Sequence, residues 1–336
     1  MRLKNILLVL VISAVIFCLR NYCFAQVVRE EKEEKTLDMR KLTKKPPAFR
    51  FSGVAGLFGG YDSNARLSKD SKGDYFEEFL FSGSVIKPWI AKTKFIFDYD
   101  LDVLNYNEAT DVSNVLNHGR FTVDKKFDWV NTGLGYDLSI YGYFHNDDGS
   151  FLFNKYFFYV GKELMRNLYN QVLFQFGNKY YFDRKALSDA GTGAYQDKKR
   201  REERQSVEYM IAAKPSRKLT LKLLARFSIN DSNDRYQDFY DYKSIEFSPS
   251  VNYQITRKWG IMANFIYLKK KYKTRLVTSE NYREKEPIYA TNLMFKYKMD
   301  KNNVLSFLYT YRNDTANDSL DKYTENSFSL GWQYNF

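Results

Sequence analysis

The chain has 336 residues, with 52 basic against 40 acidic side chains for a formal charge of +12, and 18% of it is aromatic, including 28 Tyr and 28 Phe. Its mean hydropathy is nonetheless −0.53, and beyond the N-terminus no apolar run approaches the ~18 residues of a membrane helix, which excludes a helical membrane protein. A pI near 9.3 raises nucleic acid as a partner, but the basic residues are dispersed and cluster only at Lys198–Arg204 and Lys269–Lys271. No nucleic-acid partner is therefore expected, and a basic exterior beside lipid phosphates accounts for the charge equally well.

Residues 1–25 read as a cleaved export signal. Arg2 and Lys4 precede an apolar run from Ile6 to Leu19, and Cys23-Phe24-Ala25 offers a small-residue cleavage site. Both cysteines, Cys18 and Cys23, lie inside it. The mature chain is thus expected to lack a disulfide framework, a thiol nucleophile and a cysteine-ligated metal. Residues 26–47, with Arg29-Glu30-Glu31-Lys32-Glu33-Glu34-Lys35 and Pro46-Pro47, are too polar to build a core and read as a solvated periplasmic extension.

From residue 48 to 336 the period is two. Phe49, Phe51, Leu57 and Tyr61 alternate with Arg50, Ser52, Phe58 and Asp62. Thr93 to Val103, Leu219 to Ile229 and Phe328 to Phe336 repeat the pattern. Successive strand side chains point to opposite faces, so each run has one apolar and one polar side. Runs of about 10 to 14 residues exceed the 5 or 6 of globular strands, and ten residues tilted near 40° cover ~25 Å, the apolar height of an outer membrane.

Tight connections at 86–91, 125–129, 163–167, 214–218, 256–260 and 299–303 alternate with longer polar ones at 62–74, 105–113, 144–150, 183–200, 230–241, 272–286 and 313–323. That alternation predicts an all-β, up-and-down antiparallel transmembrane barrel of about fourteen strands with both ends in the periplasm. The run from Phe151 to Tyr159 is apolar on both faces and leaves its register open. Trp89, Trp129, Trp259 and Trp332 all fall near the short-turn end, as a girdle at a lipid–water boundary would.

The ending Trp332-Gln333-Tyr334-Asn335-Phe336 resembles the terminal strand by which outer-membrane barrels are recognised, so Trp332, Tyr334 and Phe336 are expected to engage the barrel assembly machinery by β-augmentation. The first strand ends Gly59-Gly60-Tyr61-Asp62-Ser63-Asn64-Ala65. This resembles the Gly-Tyr-Asp-Ser-Asn signature opening the C-terminal barrel of surface lipoprotein assembly modifier proteins. The resemblance covers about residues 48–336 and implies a fourteen-stranded barrel that helps lipoproteins reach the cell surface. The chain departs from that family in carrying the charged lead where the family has a helical-repeat domain.

Alternation places Arg50, Glu78, Asp98, Asp100, Arg120, Asp137, Lys179, Glu208, Lys222, Arg226, Glu246 and Lys296 on the inward faces. They would line an aqueous channel or pair across a filled lumen, and their mixed signs predict no strong ion preference. The loops at 183–200 and 272–286 are expected to add selectivity. Of the two histidines, His118 faces inward beside Gly119 and Arg120 with no serine next to it in sequence. His145 opens His145-Asn146-Asp147-Asp148-Gly149, which reads better as an Asx/Gly turn than as a His–Asp pair activating water. No enzyme, cofactor or metal site is expected. The reading is an outer-membrane barrel whose partners are membrane lipid, the assembly machinery and a solute or lipoprotein cargo; a structural or adhesin barrel with functional surface loops is the alternative.

Overall fold

The computed structural model describes residues 49–69, 72–89, 92–145, 149–190, 194–236, 238–277 and 283–336. The signal and the charged extension lie outside them. Fourteen strands run in chain order: β1 (Arg50–Asp62), β2 (Asp74–Pro88), β3 (Thr93–Tyr106), β4 (Asn114–Lys126), β5 (Asn131–Tyr143), β6 (Phe151–Met165), β7 (Leu168–Leu187), β8 (Tyr195–Ser216), β9 (Leu219–Ser232), β10 (Tyr242–Gln254), β11 (Trp259–Leu276), β12 (Arg283–Lys298), β13 (Asn303–Asp314) and β14 (Tyr323–Asn335). Each pairs with its sequence neighbours, and β1 pairs with β14, so the sheet is a closed antiparallel barrel with no free edge.

The apolar parity faces out. Phe51, Leu57, Phe121, Leu134, Phe176 and Leu330 are all exposed on this surface, a pattern that fits lipid and not water. Trp89, Trp129, Trp259 and Trp332 are exposed at the short-turn end. The seam runs from Val54↔Asn335 to Asp62↔Ser327. The last residue continues it, since Gly53 N–H donates to the Phe336 carbonyl at 3.1 Å and Phe336 N–H to the Gly53 carbonyl at 3.0 Å. The Phe336 ring packs against Phe51 and Phe81.

Two long connections expected from sequence are largely strand. β7 continues to Leu187 and β8 begins at Tyr195, while β11 reaches Leu276 and β12 begins at Arg283. Lys198–Arg204 therefore lies on a strand. A hairpin that rises beyond the lipid has water on both faces, so its strands can carry charge at successive positions, as Lys198–Arg204 does, and lose the alternation that marks the others. Register shifts at Lys185 and Leu276 accompany this change.

β6 resolves the ambiguous run. Phe153, Phe157 and Tyr159 point inward, opposite Lys179, Gln175 and Leu173 on β7. Their rings lie flat on glycines of the adjacent strands: a Cβ on Gly177, Gly135 or Gly133 would come within 2.6, 2.5 or 2.3 Å of them, respectively. Large apolar side chains can thus occupy an otherwise polar inner wall without projecting across it.

Candidate functional site

The inner wall is a continuous surface to which all fourteen strands contribute, and its charges sort by strand. β2 and β3 supply Glu78, Asp98, Asp100 and Asp102, whose partners in register are inward residues throughout. β2 stands seven strands from β9 in either direction round the ring, and β9 supplies Lys222 and Arg226. Lys155, Lys179 and Arg204 on β6, β7 and β8 extend the basic side.

At mid-height the two sides are tied into networks. Ser82 and Ser84 hydroxyls each donate to Asp100 and Asp98, respectively, at 2.6 Å. His118 Nδ1 lies 2.9 Å from Asp100 Oδ2, and its Nε2 lies 3.0 Å from Asp137 Oδ2. Asp137, on β5, is fully buried and also holds Arg120 at 2.8 Å and Lys155 at 3.0 Å. Three cationic or potentially cationic groups thus converge on one carboxylate. Across the ring Arg226 bridges Glu208 at 2.6 Å and Glu246 at 2.9 Å.

All twelve inward charges expected from sequence lie on the inner parity of the ladders. The structure joins Asp100, Arg120 and Asp137 in one network and Arg226, Glu208 and Glu246 in another. Arg50, Glu78, Lys222 and Lys296 stand apart from both. Asp102, Lys155 and Arg204 were missed by sequence reasoning, although the same alternation carried the signal.

Register also places Ser139 directly opposite His118, a neighbour invisible in sequence because it sits on the next strand. Both ring nitrogens of His118 are already at carboxylates, which leaves no ring lone pair to take a hydroxyl proton. Residues 146–148 of the His145 turn lie outside the described residues.

The outer mouth is lined by arginines stacked on rings. Arg200 lies over Tyr240 and Tyr181, with centroid distances of 3.1 and 4.7 Å, and pairs with Glu202 and Asp234. Lys179 lies over Phe151 and Tyr181 at 3.7 and 4.5 Å. Glu284, Asp318 and Asp321 converge with ligand-type oxygens within 4.8 Å of one another. A protein cation already serves them: Arg275 Nε is 2.5 Å from Glu284 and its Nη2 is 2.9 Å from Asp321.

The Gly60–Asn64 string ends β1 and stitches the seam. Asp62 Oδ1 accepts from Asn64 N–H at 2.8 Å and Oδ2 from the Tyr106 hydroxyl at 2.9 Å. Asn64 Nδ2 donates to the Ser68 and Thr324 carbonyls, Ser63 N–H to the Asn326 carbonyl, and Asn326 N–H to the Ser63 hydroxyl. Arg66 and Asp111 then clamp the β1–β2 and β3–β4 loops together at 2.7 Å. The guanidinium beside it holds the Asp111 carboxyl below its ordinary range. Ala65, Phe76, Tyr106 and Ala109 form a small apolar cluster beneath these loops.

No protein-family model matches the chain, and neither does any curated protein. Among solved structures it is similar to an anion-selective porin from Comamonas acidovorans, at 8% identity over 86% of this chain and 99% of that one, with a TM-score of 0.50. It is also similar to OmpT, an outer membrane protein of Vibrio cholerae in a trimer form, at 11% identity over 86% of this chain and 100% of that one, with a TM-score of 0.51. Likeness at such identities establishes the architecture, which is that of outer-membrane β-barrels.

Proposed function

We propose that the chain is a water-filled channel of the outer membrane that passes small hydrophilic solutes, and that it carries out no chemistry on them. One observation carries this reading. Asp100 and Arg120 face the inside of a closed ring, yet their side chains are 45% and 41% exposed. Inward groups of a filled barrel are shut off by their neighbours; these have room for water beside them. Eight-stranded barrels are filled by their own side chains, whereas barrels of 16 to 18 strands hold an aqueous channel; fourteen strands stand near the second group. Inward rings laid flat on glycines keep the bore free in the same way.

The acidic side on β2 and β3 faces a side where Glu208 and Glu246 offset Arg226 and Lys222, so a field runs across the bore and is set mainly by the acidic side. Such a field orients a dipolar or zwitterionic solute more than it rejects ions of either sign. The purified protein in planar lipid bilayers is expected to give stepwise conductance. Neutralising the acidic side with Asp98→Asn, Asp100→Asn and Asp102→Asn together is expected to move the reversal potential in a salt gradient toward anions, by about a severalfold change in permeability ratio. A silent bilayer would remove the channel reading.

The lipoprotein-export reading rests on the Gly60–Asn64 string. The polar side chains of that string bond within the β1 exit, to β14 and to Tyr106 of β3, so the solute channel is favoured. Loss of particular lipoproteins from the surface of cells lacking the chain would reverse that preference.

A further inference from the structure

The three consecutive lysines Lys269, Lys270 and Lys271 do different things once β11 is placed. Lys270 turns inward and pairs with Glu286 at 2.8 Å. Lys269 and Lys271 turn outward. There Lys271 stands in register between Lys243 of β10 and Lys285 of β12, while Lys269 stands between Ile245 and Pro287 one step lower. Four exposed amines therefore share one patch about 10 Å wide, two strand spacings across. None of the four amines has a carboxylate partner among the described residues.

Like charges directly opposite one another on a sheet repel, whereas opposite charges so placed attract. Height explains why this row persists. On β11 the outward residues from Trp259 to Tyr267 are apolar or aromatic, and Tyr267 packs against Tyr289 of β12 with ring centroids 5.2 Å apart. Lys269 is ten residues above Trp259, a rise of ~25 Å for a tilted strand, which is the full apolar height of an outer membrane. The lysines thus begin where hydrocarbon ends and headgroups start, on the long-loop side.

The geometry points to a binding site for the phosphate groups of an anionic glycolipid in the outer leaflet, formed by Lys243, Lys269, Lys271 and Lys285. Bound phosphates would neutralise the row, and the Ile245, Tyr267 and Tyr289 surface beneath it would meet the acyl chains. Compact ammonium groups on long stems suit phosphates whose positions vary from one lipid to the next. This inference rests on placement in an outer membrane but not on the lumen conducting.

The test uses the full chain folded in neutral detergent, with lipid adducts counted by native mass spectrometry. The probes are a doubly phosphorylated diglucosamine lipid, the same lipid with its phosphates removed, and inorganic phosphate. The phosphorylated lipid is expected to bind and the other two to be retained far less. Each lysine near an anionic surface contributes about fivefold, so the Lys→Gln change at all four positions is expected to weaken binding at least about a hundredfold. The Lys→Arg set is expected to retain it, and Lys270→Gln, on the opposite face, to leave it unchanged.

If the fourfold variant does not fold, Lys243→Gln with Lys285→Gln removes both ends of the row, for a loss of about 25-fold. Equal binding of the dephosphorylated lipid, or undiminished binding by the glutamine variants, would overturn the site. Inorganic phosphate binding as tightly as the lipid would overturn the lipid assignment. Because the assay reads no current, its failure is separable from failure of the channel reading.

Discussion

Asp137→Ala is expected to lower the stability of the folded barrel by about 3 kcal/mol, read as a lower urea midpoint for the protein reconstituted in lipid. Asp137 is fully buried and is the shared partner of His118, Arg120 and Lys155. Removing it takes away the carboxylate that Arg120 and Lys155 share and leaves His118 with Asp100 alone. Breaking a buried ion pair from one side costs about 3–5 kcal/mol, and the low end applies because Arg120 is still 41% exposed and retains water. Asp137→Asn keeps the shape and removes the charge, so it is expected to recover only the packing share of the loss. Adding Lys155→Met to Asp137→Ala is expected to restore part of the midpoint, since one orphaned cation goes with it. A midpoint unchanged in all three variants would mean that the network is hydrated enough to be energetically idle.

Gly331→Val is expected to prevent closure of most molecules, seen as loss of the heat-resistant folded band on a gel. A Cβ at this position would lie 2.1 Å from Phe58 Cδ1 and 2.6 Å from the Leu57 carbonyl oxygen. The second contact is backbone of β1, paired with β14 at the seam, and cannot rotate away. Overpacking costs about 1–3 kcal/mol where side chains can yield, and the upper end or beyond applies here. Gly133→Val supplies the contrast. Its close contacts are all atoms of the Tyr159 ring, at 2.3 to 2.5 Å, so the ring can swing off the wall. That variant is expected to fold but to show smaller single-channel steps, because the displaced ring enters the bore. Equal folding of both variants would mean that the seam is no less yielding than the Tyr159 wall.

The difference between those two glycines was not legible in the chain. Both sit on the polar parity of an alternating run, where each reads as one small residue among others. Only register shows that Gly331 lies against Phe58 and Gly133 against Tyr159. The run from Phe151 to Tyr159 was ambiguous for the same reason, since the glycines that receive the inward Phe153 and Phe157, Gly177 and Gly135, stand on neighbouring strands. Likewise the carboxylates of Asp100 and Asp137 are 37 positions apart in sequence, and His118 between them brings them into one network through strand pairing.

By itself the sequence determined the architecture. A period of two sustained over runs long enough to cross lipid, joined by alternating short and long connections, leaves a closed antiparallel barrel as the arrangement that satisfies every backbone group in hydrocarbon. It also determined which charges face inward, because side-chain direction in a strand is a local property of the backbone. The tertiary structure alone decided which of those charges meet, which of three consecutive lysines turns toward Glu286 and which join a row on the lipid side, and how far β7 and β8 rise beyond the membrane. Those are properties of neighbours on other strands, and the identity of a neighbour is set by register, a long-range quantity that no single run of residues contains.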